Sequence, residues 1–277
     1  MRTTLSLIAL AVASLGTAEA AGTSLANGDF AFTGLNVNTT VGGWSFVTFV
    51  DLAAGTTIYF TDTNVLQTPT SAGVFSTTAE TFWAWTASAN VAAGTSVALL
   101  GTGVSGAYNA RSGAAGGTPN GTVSNLNNAL SNISSSGDIL YAFQAASFAT
   151  NYQPSAITFL GAISNRGTYS NSDNPTAATG LSGIQLREFK TDPLIAVRYT
   201  QFTAQVGTSD APYSALDDLK AALAVNANWT TVAGSNSLPI VSDVLAVSAV
   251  PEPQSLALWL AGLGLLGSLA GRRARQR

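Results

Sequence analysis

The chain has 277 residues, a formal net charge of −3, and neither cysteine nor histidine. These absences exclude disulfides, Cys/His zinc sites, Ser-His-Asp triads and Cys-His dyads, so that only carboxylate groups remain for catalysis or cation binding. Residues 21–250 hold six basic and twelve acidic residues, and this negative balance argues against nucleic-acid binding.

The first 20 residues have the pattern of a secretory signal peptide. Arg2 provides a short positive region, an apolar core of about 11 residues follows over 5–15, and Ala18 and Ala20 supply the small-x-small cleavage pattern. The apolar stretch is too short for a retained membrane helix. We therefore expect signal peptidase to cut after Ala20.

Residues 21–249 are predicted to form one mainly β domain. Its strand-like runs are rich in β-branched and aromatic residues, and Gly/Ala/Ser/Asn/Thr turns separate them. No helical periodicity intervenes, which favours a β-sandwich over a parallel α/β sheet. The clearest predicted strands are 44–50, 57–61, 81–86, 96–100 and 138–144.

Two stretches of low apolar periodicity, 101–132 and 164–180, are predicted to be long loops. The sequence also contains an echo, since the ten residues from Asp51 to Phe60 resemble those from Asn90 to Leu99. In both, two alanines lead to a glycine that can take the positive φ of a turn. The similarity indicates either two equivalent turns or simply a favourable Ala-Ala-Gly-Thr loop.

One amphipathic helix is predicted near 215–226. Ser214 is the expected N-cap, with Asp217 completing an acidic capping box, and leucines then recur on one face. We expect this face to pack on one end of the sandwich. Residues 244–249 fit either a last strand or a spacer.

Segments 28–36, 46–62, 83–86 and 136–144 resemble a lamin-tail-like, immunoglobulin-like β-sandwich domain of secreted bacterial proteins. The helix and the Asn228-Trp229-Thr230 ending resemble what often follows that domain. The resemblance implies the fold and an exported setting. It implies no catalytic residues, so we expect that the protein is not an enzyme.

Carboxylates supply the weak candidates for a metal site. Four aspartates lie at predicted strand ends or turns, where neighbouring oxygens could complete a calcium shell: Asp29, Asp51, Asp62 and Asp138. No calcium-loop motif is present, and turn aspartates usually accept backbone hydrogen bonds. The sequence therefore predicts no required cofactor and leaves calcium as an alternative.

Glu80 and Glu188 are the two glutamates between the terminal segments. A glycosidase would need two carboxylates ~5–10 Å apart in an aromatic cleft. Trp83 and Trp85 share one face of a predicted strand, where they either stack on a sugar or pack in the sheet core. A carbohydrate-binding module and a carboxylate-dependent glycoside hydrolase are therefore the alternatives to a structural role.

The C-terminal segment has three parts in a fixed order. A Pro251-Glu252-Pro253 tripeptide precedes an apolar run over 255–270, which is ~24 Å long as a helix. A basic tail over 271–277 follows and fits a cytoplasmic stop, through Arg272, Arg273, Arg275 and Arg277. The predicted transmembrane helix is shorter than the ~30 Å hydrocarbon core of a bilayer. We therefore expect it to be a weak or temporary anchor.

This arrangement over 250–277 resembles the PEP-CTERM sorting signal of Gram-negative bacteria. The resemblance implies recognition by an exosortase in the inner membrane, after which the protein leaves its anchored intermediate. The expected destination is the cell surface or extracellular matrix, with a structural or adhesive role in a biofilm or exopolysaccharide layer. Exopolysaccharide or other surface proteins are the expected partners there.

Overall fold

The structure is a computed structural model. It describes residues 22–37, 42–66, 74–76, 80–113, 117–127, 129, 133–134, 137–148, 153–165, 179–188, 190–192, 195–202, 213–233 and 245. The predicted signal peptide, over 1–20, and the predicted sorting segment, over 250–277, lie outside these residues.

The described part of the chain is mainly β. Its strands are β1 Phe30–Asn36, β2 Gly43–Thr48, β3 Thr57–Thr61, β4 Val65–Leu66, β5 Val74–Phe75, β6 Phe82–Thr86, β7 Ser96–Gly101, β8 Tyr108–Ser112, β9 Thr118–Pro119, β10 Thr122–Asn125, β11 Ile139–Gln144, β12 Ser147–Phe148, β13 Pro154–Ser155, β14 Thr158–Ser164, β15 Leu186–Glu188, β16 Lys190–Asp192, β17 Ile195–Phe202 and β18 Trp229–Ala233. One α-helix, α1, spans Leu216–Ala224. The five strands that the sequence predicts most clearly correspond to β2, β3, β6, β7 and β11.

Two sheets form the sandwich. Sheet 1 has the order β16-β17-β1-β2-β7-β8-β9, with β18 also paired to β17, and sheet 2 has the order β10-β6-β3-β11-β14-β15. All pairs are antiparallel except β14 with β15. Two small hairpins, β4–β5 and β12–β13, stand apart from both sheets.

The core between the sheets is built from aromatic side chains. Trp44 of sheet 1 lies 5.3 Å from Phe60 and 5.2 Å from Trp83 of sheet 2, measured between ring centroids. Phe46 likewise lies 5.3 Å from Trp85. Each such ring stabilises the fold by roughly 1.5–3 kcal/mol through burial, which suits a sandwich without disulfides.

A second core covers the outer face of sheet 2. Strand β11 buries Leu140 and Ala142 between the sheets and Tyr141 and Phe143 on the outer face. The hairpin β4–β5 places the fully buried Phe75 over this outer face, 5.1 Å from Phe143. Sheet 2 is therefore covered on both sides, which explains why β11 reads as a continuous apolar run instead of alternating.

The prediction that 101–132 is a long loop is wrong. This stretch contains β8, β9 and β10, which extend sheet 1 and then sheet 2 at one edge. Asn120 and Gly121 connect the two sheets there, and the Asn120 Oδ1 atom accepts hydrogen bonds from the backbone and hydroxyl of Ser88. These strands are rich in small polar residues and therefore show no apolar alternation in the sequence. Their apolar contacts are supplied by the neighbouring strands.

The sequence echo corresponds to two equivalent turns. The turn after β2 and the turn after β6 meet through a reciprocal backbone pair between Leu52 and Val91, with N···O distances of 2.8 and 2.9 Å. Gly55 and Gly94 occupy matching positions with φ of 84° and 80°. We call the end of the sandwich that carries these turns the paired-turn end.

Helix α1 packs its leucine stripe on the core, as predicted, but its start differs. Leu219 and Leu223 are buried, whereas the N-cap is Ala215 and no side chain caps the helix. The expected capping box is therefore wrong. Asp217 instead lies in the first turn, where a negative charge favours the helix dipole.

The helix ends at the Asn-Trp-Thr stretch. The Asn228 amide donates to the Ala222 carbonyl at 2.9 Å, and the Trp229 indole donates to the Leu223 carbonyl at 3.0 Å. The Arg187 guanidinium of β15 stacks 4.8 Å from the Trp229 ring. The two hydrogen bonds satisfy carbonyls of the last turn, and the stacking contact joins β15 of sheet 2 to β18 of sheet 1.

Candidate functional site

The four candidate calcium ligands divide between the two ends of the sandwich. Asp29 and Asp51 lie at the paired-turn end, since Asp29 precedes β1 and Asp51 follows its neighbour β2. Asp62 follows β3 and Asp138 precedes β11, at the opposite end, which we call the Asp62 end. The structure therefore does not bring the four together.

Each of these carboxylates accepts a backbone N–H. Ala26 donates to Asp29 at 2.8 Å, Ala93 to Asp51 at 2.8 Å, Thr81 to Asp62 at 3.2 Å, and both Ser134 and Ile139 donate to Asp138. Over the described ranges, no group of three or more acidic side chains is arranged to hold a metal ion. The geometry is that of turn-stabilising aspartates.

Asp62 has an unusual environment. Its side chain is 2% exposed. Burial raises the pKa of its carboxyl from 3.8 to about 8, and repulsion from Asp138 and Glu80 adds to the shift. Desolvation also raises the pKa of Tyr108, which is close enough to experience the Asp62 charge. The Asp62 carboxyl is therefore mostly protonated at neutral pH.

The tryptophan pair packs in the core. Trp83 and Trp85 are both 0% exposed, and their indole N–H groups donate to the carbonyls of Gly106 and Asn120 at 3.1 and 3.0 Å. A buried ring cannot stack on a sugar, so the sugar platform that the sequence allowed at these residues is not formed.

The two glutamates are too far apart to act as a glycosidase pair. Glu80 lies just before β6, and Glu188 is the last residue of β15. Four strand steps separate these strands in sheet 2, or roughly 19 Å at about 4.8 Å per step. A glycosidase needs ~5–10 Å between its carboxylates.

A cleft of about 420 Å³ opens on the outer face of sheet 2 at the paired-turn end. We call it the Tyr59 cleft. It lies over β3, β11 and β14, and its lining is uncharged. The residues that matter below are Ser24, Thr57, Tyr59, Gln144, Ala156 and Thr158. Sequence reasoning did not find it, because Tyr59 and Thr57 read there as ordinary strand residues.

The N-terminal segment forms one wall of this cleft. Gln144 holds it in place by donating to the Thr23 carbonyl at 3.1 Å and accepting from the Leu25 N–H at 2.8 Å. A Cβ atom on Gly22 would lie 2.6 Å from the Thr56 Cα atom, so only glycine allows this close approach. Gly22, the second residue after the predicted cleavage point, thus already packs against the sandwich.

A second cleft of about 410 Å³ adjoins the first through Thr23. It is lined by Thr23, Asp51, Asn90 and the neighbouring residues of the paired turns. We call it the Asp51 cleft.

Leu245 joins the C-terminal part of the chain to the paired-turn end. Its side chain is 5% exposed. Its N–H donates to the Gly94 carbonyl at 2.8 Å, and its own carbonyl accepts from Tyr213 at 3.3 Å. Of the two readings of 244–249, a strand or a spacer, the contacts show at least that residue 245 belongs to the folded domain.

The predicted sorting residues lie beyond the described part of the chain, as do the signal-cleavage residues Ala18 and Ala20. They comprise Pro251, Glu252, Pro253, Arg272, Arg273, Arg275 and Arg277. No helix among the described residues is long and apolar enough to cross a membrane. The predicted transmembrane helix over 255–270 falls outside that search.

Comparison with known proteins identifies the C-terminal segment. No curated protein and no solved structure matches the chain, so the lamin-tail resemblance stays a prediction, while the mainly β architecture is consistent with it. Residues 249–275 match the family described as the PEP-CTERM protein-sorting motif. The chain therefore carries a PEP-CTERM sorting motif, which marks it as an exported protein targeted to exosortase through a membrane-anchored stage.

Proposed function

We propose that this protein is a structural or adhesive component of the cell surface or extracellular matrix, delivered there as a folded β-sandwich. The observation that carries the proposal is that the sandwich lies between the predicted signal peptide and the matched sorting motif. Gly22 packs against Thr56 just after the predicted signal peptide, and Leu245 packs four residues before the matched motif. The segment that is exported is the sandwich itself.

The sandwich suits an exposed setting. Its stability comes from aromatic packing instead of disulfides, so it does not depend on an oxidising compartment. The paired glutamate site of a glycosidase and the tryptophan platform for sugar binding, both of which the sequence allowed, are not formed in the described part of the chain.

The structure also suggests how the domain stands while it is anchored. Ten residue steps lead from Leu245 to Ser255, the start of the predicted membrane helix, and a fully extended chain of that length spans at most ~34 Å. The paired-turn end, which holds Leu245, therefore stays within that distance of the membrane in the anchored intermediate. Cleavage at the sorting motif releases this end together with both clefts.

A processing experiment tests the sorting step. The full chain is expressed with an exosortase, and Glu252→Ala is compared with Ser248→Ala, which lies outside the matched motif. We expect the first variant to accumulate unprocessed in the membrane fraction and the second to mature normally. Normal maturation of Glu252→Ala would refute the role of the tripeptide.

A fractionation experiment tests the destination. The mature protein should sediment with the cells and their extracellular matrix, and should be accessible to added protease in intact cells. Recovery in the periplasm, or only as free protein in the culture medium, would refute the surface or matrix role without affecting the sorting step.

A further inference from the structure

We propose that the Tyr59 cleft is a binding site for an uncharged glycan, read by hydroxyl groups and one aromatic ring. The inference deepens the proposed adhesive function, on which it rests for its biological meaning, but its chemistry is argued from the cleft alone. Its volume of about 420 Å³ lies within the ~300–1,000 Å³ typical of small-molecule sites.

The aromatic wall of the cleft is fixed in orientation. The Tyr59 ring is half-buried and lies 4.7 Å from the Phe148 ring and 5.6 Å from the Phe143 ring. These neighbours pack against the ring, and Tyr59 itself lines the cleft. A ring of this kind offers an apolar surface for the C–H face of a sugar and a polar tip for its hydroxyls.

Three hydroxyl groups in the cleft lining have no hydrogen-bond partner among the described residues. Within the described part of the chain, the side chains of Ser24, Tyr59 and Thr158 make no hydrogen bond, although all three line the cleft. The Gln144 amide, in contrast, is used to hold the N-terminal segment and Thr57. The three hydroxyls can each donate and accept, as recognition of a polyhydroxylated ligand requires.

The position of the cleft excludes other ligand classes. An extended peptide binds by adding a strand to a free sheet edge, but β3 and β11, which form the floor of the cleft, each have hydrogen-bonded neighbours on both sides. No charged side chain lines the cleft, which disfavours nucleic acid and acidic polymers, because these ligands need several cationic contacts. An uncharged ligand read through side-chain hydroxyls remains.

A strained residue lies in the same cleft. Ala156 has a φ of 50°, and among the described residues it is the only non-glycine residue with a positive φ. This left-handed conformation costs alanine on the order of 1 kcal/mol, and such strain concentrates at ligand-binding positions. The turn is held by the hairpin β12–β13, because Ala146 donates to the Ser155 carbonyl at 3.0 Å.

The test uses the full chain, purified in detergent, in affinity gels that contain neutral polysaccharides. A glucan, a galactan and a mannan are compared with the anionic polymer alginate and with an empty gel. We expect retardation by at least one neutral polymer and none by alginate. Unchanged migration in all neutral gels, together with silence on a neutral glycan array, would overturn the proposal.

Variants locate the site. Tyr59→Phe keeps the ring and removes the hydroxyl, and Thr158→Val and Ser24→Ala each remove one hydroxyl at similar volume. Each change should weaken binding roughly three- to tenfold, the usual effect of one lost hydrogen bond. Tyr213→Phe is the matched control, because this half-buried tyrosine lies outside the cleft. Wild-type affinity in all three cleft variants would overturn the assignment.

The two proposals can fail separately. Tyr59→Phe should lose glycan affinity while the protein is sorted and matures normally, whereas Glu252→Ala should keep glycan affinity while its processing stops. An unfolded variant would be recognised by a lowered melting temperature. Thr158→Val then decides the result for the cleft, because it preserves the β-branched shape that favours the strand.

Discussion

Asp51 and Asn90 hold equivalent positions in the paired turns and exchange equivalent hydrogen bonds. The Asp51 Oδ1 atom accepts the Ala93 N–H at 2.8 Å, and the Asn90 Oδ1 atom accepts the Ala54 N–H at 2.9 Å. Each side chain thus closes the turn that belongs to the other. The relationship is that of a local two-fold axis between the turns.

The same symmetry extends into the backbone. The Gly55 N–H donates to the Ala87 carbonyl and the Gly94 N–H to the Thr48 carbonyl, both at 2.8 Å. One turn leads from sheet 1 to sheet 2 and the other leads back. The two corners of the sandwich therefore form one hydrogen-bonded unit, which fixes the spacing of the sheets at this end.

Removing the Asp51 side chain should test this unit. In Asp51→Ala, the N–H of the buried Ala93 loses its acceptor, so we expect the free energy of unfolding to fall by about 1–3 kcal/mol. Asp51→Asn keeps an oxygen in place and should cost less. Urea unfolding measures both. Equal stability of Asp51→Ala and the wild type would show that water replaces the carboxylate without loss.

The Asn90→Ala variant should have a smaller effect. Ala54 is only half-buried, so water can reach its N–H when the Asn90 oxygen is removed. The double variant should not be additive, because both residues belong to one network. A double-mutant cycle measures the coupling, and strict additivity would contradict a shared unit.

The stability of the fold should depend on the protonation of Asp62. Because the pKa is about 8 in the folded protein and 3.8 when unperturbed, the folded state holds the proton more tightly than the unfolded state. The contribution of Asp62 to the free energy of unfolding is therefore largest below about pH 4, and it is lost as the pH rises towards 8. The loss is at most about 1.4 kcal/mol per pH unit in this window.

The measurement is a series of melting temperatures between pH 5 and pH 9 for the wild type and Asp62→Asn. The amide cannot ionise, so the variant should lose less stability as the pH rises and should exceed the wild type at pH 9. Asp217→Asn, at an exposed helix position, is the control and should follow the wild type. Parallel curves for Asp62→Asn and the wild type would contradict the raised pKa.

Calcium should leave the melting temperature unchanged. The four candidate aspartates lie at opposite ends of the sandwich and already accept backbone N–H groups, and Asp62 is mostly protonated at neutral pH. Melting curves with millimolar calcium and with a chelator should therefore coincide. A chelator-sensitive rise in the melting temperature would revive the calcium-binding alternative.

Much of the sheet architecture could be predicted from the sequence, because β2, β3, β6, β7 and β11 contain aromatic and β-branched runs. Apolar side chains in these runs, such as Trp44 and Phe46, are buried as their residue types predict. The strands β8 and β10 could not be predicted in the same way. Residues such as Thr122 and Ser124 become strand residues because β6 offers a hydrogen-bonding edge, which is a tertiary effect.

The candidate sites were less predictable. The sequence allowed Trp83 and Trp85 to be a binding platform or a core pair, and only their burial decides between these uses. The Tyr59 cleft depends on two distant segments, because the N-terminal wall at Ser24 and the turn at Ala156 meet across sheet 2. No local pattern contains that distance information.

The Trp229 indole should stabilise the end of helix α1. Trp229→Phe removes its hydrogen bond to the Leu223 carbonyl and weakens the stacking of Arg187 on the ring. We expect a loss of about 1–2 kcal/mol, since one buried carbonyl becomes unsatisfied. Urea unfolding provides the measurement. Val225→Ala, at an exposed position just after the helix, is the control, and an equal effect of both would contradict the capping role.

Leu245 should determine both the stability of the paired-turn end and the length of the tether. Leu245→Ala removes a buried side chain of the main core, and we expect it to lower the free energy of unfolding by about 2–5 kcal/mol. Ser248→Ala should have no effect, and urea unfolding measures both variants.

Limited proteolysis of the anchored protein tests whether the packing of Leu245 also limits the length of the tether. In Leu245→Ala, protease should cut the segment before the sorting motif faster, because without the buried side chain the backbone bond from residue 245 to the Gly94 carbonyl opens more readily. If cleavage stays as slow as in the wild type while urea stability falls, the packing of Leu245 would not control access to the tether.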